Sequence, residues 1–83
     1  STNAEILVAW LTLACRSGYD VVLPKVEEVL GSVGRAKYLK PLYRSLYERP
    51  EKRSYALQLF EQFRPRYHAV AQHMLASILS ASN

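Results

Sequence analysis

Gly34-Arg35-Ala36-Lys37-Tyr38-Leu39-Lys40-Pro41-Leu42-Tyr43-Arg44-Ser45-Leu46 decides how the rest of the chain is read. Leu39, Leu42, Tyr43 and Leu46 recur three and four apart, the spacing that lines one face of an α-helix. Gly34 stands just before this pattern and Arg49-Pro50 just after it, so a helix is expected from about Arg35 to Glu48. Pro41 is expected to distort its first half or to move the regular start toward Lys40. The same stretch carries four cations, Arg35, Lys37, Lys40 and Arg44, and no acid. Arg35 and Lys37 fall at or near the helix start, where unpaired N–H groups and the positive end of the dipole favour anions. A local cost of that kind is where function is sought first. The cations and the N–H groups together make a small site for an anion, most naturally a carboxylate.

Four more helices are expected on either side of this one. The first runs from about Ala4 to Ser17, with Ile6, Trp10, Leu13 and Ala14 as an apolar stripe that Leu7 and Leu11 widen. A helix apolar on nearly all sides is normally buried between neighbours, so a further helix from an N-terminal continuation of the parent protein is expected against it. Gly18 ends it as a C-cap residue. Asp20 is placed to cap the second helix, about Val21 to Val33, whose core face is Val22, Val26, Val29, Leu30 and Val33. Pro24 is tolerated in its first turn, and Gly31 and Gly34 mark its end. The fourth, about Glu51 to Phe63, buries Tyr55, Ala56, Leu59, Phe60 and Phe63. The fifth opens near Pro65 and runs to about Ser80, with Val70, Ala71, Met74, Leu75, Ile78 and Leu79 inward. No segment alternates as a strand does. The connections are short, so the expected fold is all-α, an α-solenoid of the HEAT or armadillo kind with about five antiparallel helices.

The totals exclude several classes. Eighty-three residues with 49% hydrophobic and 22% charged side chains describe one small globular domain or part of a larger protein, not a disordered chain. The longest nearly apolar run, Ile6 to Cys15, is far short of the ~20 residues a membrane span needs. It does not read as a signal peptide either, since Glu5 precedes it and no basic residue does. Cys15 is the only cysteine, so no internal disulfide forms, which fits a reducing compartment and a cytoplasmic protein.

Catalytic chemistry finds no foothold. His68 and His73 are five apart, which sets them roughly 140° apart around a helix, and no acid or thiol completes a metal set. One packed and one solvated histidine are expected. Cys15, late in an apolar helix, reads as a buried inert thiol. Tyr38, Tyr43 and Tyr47 beside basic residues fit a single-strand nucleic-acid surface, but tyrosines at helical spacing read better as core or rim residues. Glu48, Glu51 and Glu61 dilute the basic patch, so no nucleic acid is expected as partner. Arg35 and Lys37 have two readings. In one they are a solvated basic face paired to Glu27 or Glu28. In the other they converge on a ligand, which residues two apart can do only if Arg35 lies before the regular helix and Lys37 reaches with its flexible stem.

The sequence resembles the C-terminal helical domain of the zinc aminopeptidases related to leukotriene A4 hydrolase and aminopeptidase B. The residues that carry the resemblance are Asn3, Glu5, Ile6, Trp10, Leu11 and Leu13, then Pro24, then Gly34-Arg35-x-Lys37 with Pro41-Leu42-Tyr43-Arg44-x-Leu46, and last His68 and Val70. It extends over about residues 3 to 79. Ala69 departs from the pattern, where leukotriene A4 hydrolase has proline after the histidine.

The resemblance implies that residues 1–83 form a single C-terminal helical domain of a larger multidomain enzyme. It implies a thermolysin-like catalytic domain elsewhere in the parent, holding the zinc and the His-Glu-x-x-His motif. No catalytic or metal-ligating residue, and no cofactor, is then expected in this chain. The implied role is recognition. Arg35 pairs with the substrate carboxylate and Lys37 assists, so the partners are the parent's own catalytic domain and the C-terminus of a short peptide. No membrane partner is expected. The alternative is a purely structural or protein-docking α-solenoid.

Overall fold

The computed structural model describes residues 2–80 as five α-helices: α1 (Thr2–Arg16), α2 (Leu23–Ser32), α3 (Ala36–Tyr47), α4 (Arg53–Phe63) and α5 (Ala69–Leu79). Single 3-10 turns at Asp20–Val22, Pro50–Lys52 and Arg64–Arg66 lead into α2 and α4 and follow α4, and there is no strand among the described residues. The all-helical expectation therefore holds. α3 is the central element, lying against α1 on one side and α5 on the other, with α4 also against it and α2 touching α4. Its inward face is the one the sequence names: Leu39, Leu42, Tyr43 and Leu46 are all fully buried. Around them close Leu11 and Cys15 of α1, Val26 and Leu30 of α2, and Leu75 of α5.

Tyr43 anchors an aromatic cluster in this core. Its ring meets Phe60 and Tyr67 edge-on at 6.0 and 6.4 Å, and Phe60 and Tyr67 stack at 6.5 Å. The Tyr67 hydroxyl donates to the Leu30 carbonyl at 2.8 Å and lies 2.9 Å from the Tyr43 hydroxyl. Since the Tyr67 proton is committed to Leu30, Tyr43 donates to Tyr67. Leu30 sits in the last turn of α2, where carbonyls lack helical partners. Tyr67 thus fixes the end of α2 from beneath, and with it the turn that leads to Arg35.

Helix α1 ends at Gly18 as the sequence indicates. Gly18 has φ 79°; the Tyr19 N–H reaches the Ala14 carbonyl at 2.9 Å and the Gly18 N–H reaches Cys15 at 3.1 Å, the paired bonds of a Schellman turn. A Cβ in this left-handed conformation is disfavoured, so Gly18→Ala is expected to cost about 1 kcal/mol. A thermal melt with an unchanged midpoint would refute that account.

Several expectations are corrected. Asp20 does not cap α2. It lies in the first 3-10 turn, α2 starts only at Leu23 without a side-chain cap, and the Asp20 carboxylate is taken by Arg49 at 2.9 Å and Lys52 at 3.4 Å. Arg49 also donates to the Cys15 carbonyl at 3.1 Å and to Glu51 at 2.9 Å, so one guanidinium ties the α1–α2 turn to the α3–α4 turn. The hydrogen bond that Arg49 donates to Asp20 holds the Asp20 carboxyl below the ordinary range. Helix α3 begins at Ala36 and continues through Pro41, so the start is not displaced toward Lys40. Helix α5 begins at Ala69 rather than near Pro65, and Val70 points outward at 71% exposure. Tyr67 and Ala71 take the inward positions there. Neither histidine is packed: His68 and His73 are both exposed.

The first helix resolves an ambiguity. Its core face is Val8, Leu11, Ala14 and Cys15, while Ile6, Trp10 and Leu13 lie on the other side at 62, 53 and 63% exposure. The Cys15 thiol is fully buried, and burial pushes its pKa up, which keeps it unreactive.

Candidate functional site at the start of α3

Arg35 is the N-cap residue of α3, with φ −82° and ψ 128°, so it lies before the regular helix. Its carbonyl accepts the first helical bonds from Tyr38 at 3.0 Å and Leu39 at 3.1 Å. Its side chain does not cap the helix, and no acid stands in the first turn of α3. The backbone donors of that turn consequently have no carboxylate or hydroxyl from α3 itself. This meets the geometric condition for Arg35 and Lys37 to approach a common region. The Arg35 guanidinium carbon lies 5.8 Å and the Lys37 Nζ 5.7 Å from the centre of the Tyr38 ring. Both side chains are exposed, and Tyr38 between them is buried.

The two cations are not equally available. Lys37 Nζ donates to Glu5 Oε2 of α1 at 3.1 Å. Neither Glu27 nor Glu28 takes that place, as the solvated-face reading supposes: Glu27 accepts from the Tyr55 hydroxyl, and Glu28 pairs with Lys25 at 3.2 Å. The Lys37 hydrogen bond and charge lower the pKa of Glu5, and the field of Arg35 adds to the effect. An acid thus does face the start of α3, but it comes from α1. The unfavourable placement of cations at a helix N-terminus is partly relieved by a tertiary contact that the local sequence does not reveal.

Arg35 opens on the other side to a recess of about 340 Å³ lined by Gly34, Ala36, His68, Val70 and Ala71. His68 is the N-cap residue of α5, again without a side-chain cap. The starts of α3 and α5 therefore border one recess, with Arg35 and His68 at its margin. Sequence reading noted His68 as a family residue but did not bring it to Arg35, because the two are 33 positions apart and meet only through α3–α5 packing.

Lys37 and Glu5 stand at the edge of a second, larger groove of about 520 Å³ between α1 and α3, walled by Val8, Leu13, Tyr38 and Pro41 and reaching Thr12 and Arg16. Thr12 is 8% exposed and its hydroxyl has no hydrogen-bond partner within the described chain. Thr12→Val removes that cost while keeping the shape, and is expected to stabilise this chain by about 1 kcal/mol. A lowered melting midpoint would show that the hydroxyl is satisfied after all.

Among the described residues, no group of three or more His, Cys, Asp or Glu side chains could hold a metal, and no helix is long and apolar enough to cross a membrane.

Comparison with known proteins identifies the family of the chain. Residues 1–79 match the family described as leukotriene A4 hydrolase, C-terminal. Leucine aminopeptidase 2-1 of Meyerozyma guilliermondii is 40% identical over 75 residues, 90% of this chain and 12% of that protein. Leukotriene A-4 hydrolase of Xenopus laevis is 34% identical over 80 residues, 96% of this chain and 13% of that protein. Leucine aminopeptidase 2 of Neurospora crassa is 37% identical over 82 residues, 99% of this chain and 12% of that protein. The chain thus spans a small part of the length of the relatives it matches. No solved structure matches it. With a match that covers residues 1–79 and relatives aligned across nearly its full extent, the chain belongs to the C-terminal family of leukotriene A4 hydrolase and its aminopeptidase relatives.

Proposed function

We propose that this chain is the recognition module of a cytoplasmic zinc aminopeptidase, and that Arg35 holds the C-terminal carboxylate of a short peptide while Lys37 assists. The catalytic domain of the parent grips the free N-terminus and hydrolyses the first peptide bond. Zinc belongs to that domain: among the described residues of this chain, no group of three or more His, Cys, Asp or Glu side chains could hold it. The partners are then the parent's catalytic domain and the peptide carboxylate, with no call on nucleic acid or membrane.

The observation that carries the reading is the position of Arg35. It is an exposed guanidinium held at an uncapped helix start, beside N–H groups that favour negative charge. A guanidinium fork matches a carboxylate in both geometry and charge. The names of the relatives, aminopeptidases and a hydrolase, support a peptide as the bearer of that carboxylate.

The test compares a tripeptide with its C-terminal amide as substrates of the parent enzyme. The free acid is expected to be preferred, and Arg35→Ala is expected to erase the preference by slowing only the acid. Equal slowing of both substrates would remove the anchor role and leave the alternative, a structural or protein-docking α-solenoid.

A further inference from the structure

Thr12 lines the groove of about 520 Å³ between α1 and α3, which Lys37 and Glu5 border at one end. It is 8% exposed, and its hydroxyl is the one buried side-chain polar atom without a partner among the described residues. A buried hydroxyl left over beside a groove calls for a partner from outside the chain. Between Thr12 and the charged mouth the walls are mostly apolar, formed by Val8, Ala9, Tyr38 and Pro41. Arg16 at the groove is engaged by Glu48 at 3.9 Å, so the interior asks for no second charge. Tyr38 joins this groove to the carboxylate anchor. The Arg35 guanidinium carbon and Lys37 Nζ lie 5.8 and 5.7 Å from the centre of its ring. A carboxylate shared by those two cations rests at the mouth of the groove.

We infer that the α1–α3 groove is a specificity pocket for the side chain of the peptide's C-terminal residue. It selects a large aromatic ring, and Thr12 hydrogen-bonds the phenol of a terminal tyrosine. The inference deepens the proposed function and rests on its carboxylate anchor. Length is the first argument. Glu5 and Thr12 are seven residues apart on one helix, about 10 Å along its axis. In a terminal tyrosine the carboxylate and the phenol oxygen are roughly 8 Å apart by ordinary bond lengths. A hydrogen bond to Thr12 adds about 2.7 Å. One tyrosine therefore spans from the cations at the mouth to Thr12. Chemistry is the second argument. Phenylalanine fills the apolar walls but leaves Thr12 without a partner, and alanine leaves the groove empty. Lysine or arginine has the length but carries an unmatched charge against Val8, Tyr38 and Pro41. Threonine in a helix divides between two χ1 rotamers, so its hydroxyl turns toward a ligand at little cost.

The test uses the parent enzyme and tripeptides that share their first two residues and end in Tyr, Phe or Ala, each as free acid and as amide. Among the acids, kcat/KM is expected to favour Phe over Ala by about 10–100-fold and Tyr over Phe by a further factor of about 3–10. Thr12→Val keeps the shape of the side chain and is expected to erase the Tyr-over-Phe factor while leaving Phe over Ala intact. Ala9→Trp, at an exposed position on the groove wall, fills the pocket and is expected to slow the Tyr and Phe acids at least tenfold with little effect on the Ala acid. Equal turnover of the three acids overturns the inference. So does a Tyr advantage that survives Thr12→Val, or an Ala9→Trp variant that slows all three acids alike. The Ala-ended acid and amide do not use the groove, so they report on the anchor alone. If Arg35→Ala slows that pair equally, the anchor falls and the inference with it. If that pair obeys the anchor reading while the ending residue makes no difference, only the pocket is lost.

Discussion

Tyr43→Ala is expected to lower the melting midpoint of the 83-residue chain by about 20 °C or more. Tyr43 is fully buried on the central helix, packs edge-on against both Phe60 and Tyr67, and donates to the Tyr67 hydroxyl. Truncating an aromatic side chain in such a place costs about 3–5 kcal/mol, through lost transfer energy and the cavity left behind. A domain of this size has only about 4–12 kcal/mol in total, so the loss is a large share of its stability. Two conservative variants divide the effect. Tyr43→Phe keeps the ring and removes a donor whose partner, the Tyr67 oxygen, still donates to Leu30; its cost is about 0.5–1.5 kcal/mol. Tyr67→Phe strips the Leu30 carbonyl of its donor and leaves the Tyr43 hydroxyl without an acceptor, so it is expected to cost more, about 1–3 kcal/mol. Circular-dichroism melts should rank Tyr43→Ala above Tyr67→Phe above Tyr43→Phe. If Tyr43→Phe were as damaging as Tyr43→Ala, ring packing would not be the source of the stability.

The same residues show what a sequence reveals and what it withholds. Leu39, Leu42, Tyr43 and Leu46 could be assigned to the core because α3 is polar on its other face, so its period has one solution. Helix α1 is apolar on both faces and has two. Periodicity could not tell whether Leu11 and Cys15 or Ile6 and Trp10 faced this core, since that depends on where α3 lies. Asp20 read as a cap because Asp before an apolar run usually is one. Its actual partner, Arg49, is 29 residues away and stood in the sequence only as a helix-stopping Arg-Pro pair. Charge pairing across turns leaves no local signature.

The candidate site divides along the same line. Arg35 at a helix start was legible from Gly34 and the period that follows. Lys37 was legible as its neighbour. That Glu5 engages Lys37, and that His68 borders the recess beside Arg35, follow from helix packing and not from spacing.

The unequal state of the two cations leads to the second large effect. The proposed anchor role predicts that, in the parent enzyme, Arg35→Ala reduces kcat/KM for tripeptides by about 30–1,000-fold, the equivalent of roughly 2–4 kcal/mol for loss of a guanidinium–carboxylate pair. Arg35→Lys is expected to recover only part of this, because a point charge on a flexible stem replaces a planar fork. Lys37→Ala should do less damage than Arg35→Ala, since Lys37 must leave Glu5 before it can meet a substrate. On the proposed role Glu5 competes with the substrate carboxylate for Lys37, so its removal should have the opposite sign. Glu5→Gln frees Lys37 and leaves the start of α3 more positive, so it is expected to lower KM for tripeptides and to leave their C-terminal amides unaffected. The pair of results discriminates sharply. If Glu5→Gln weakened tripeptide binding, or if Lys37→Ala proved as costly as Arg35→Ala, the ion pair with α1 would be part of the substrate site itself and not a contact the substrate displaces.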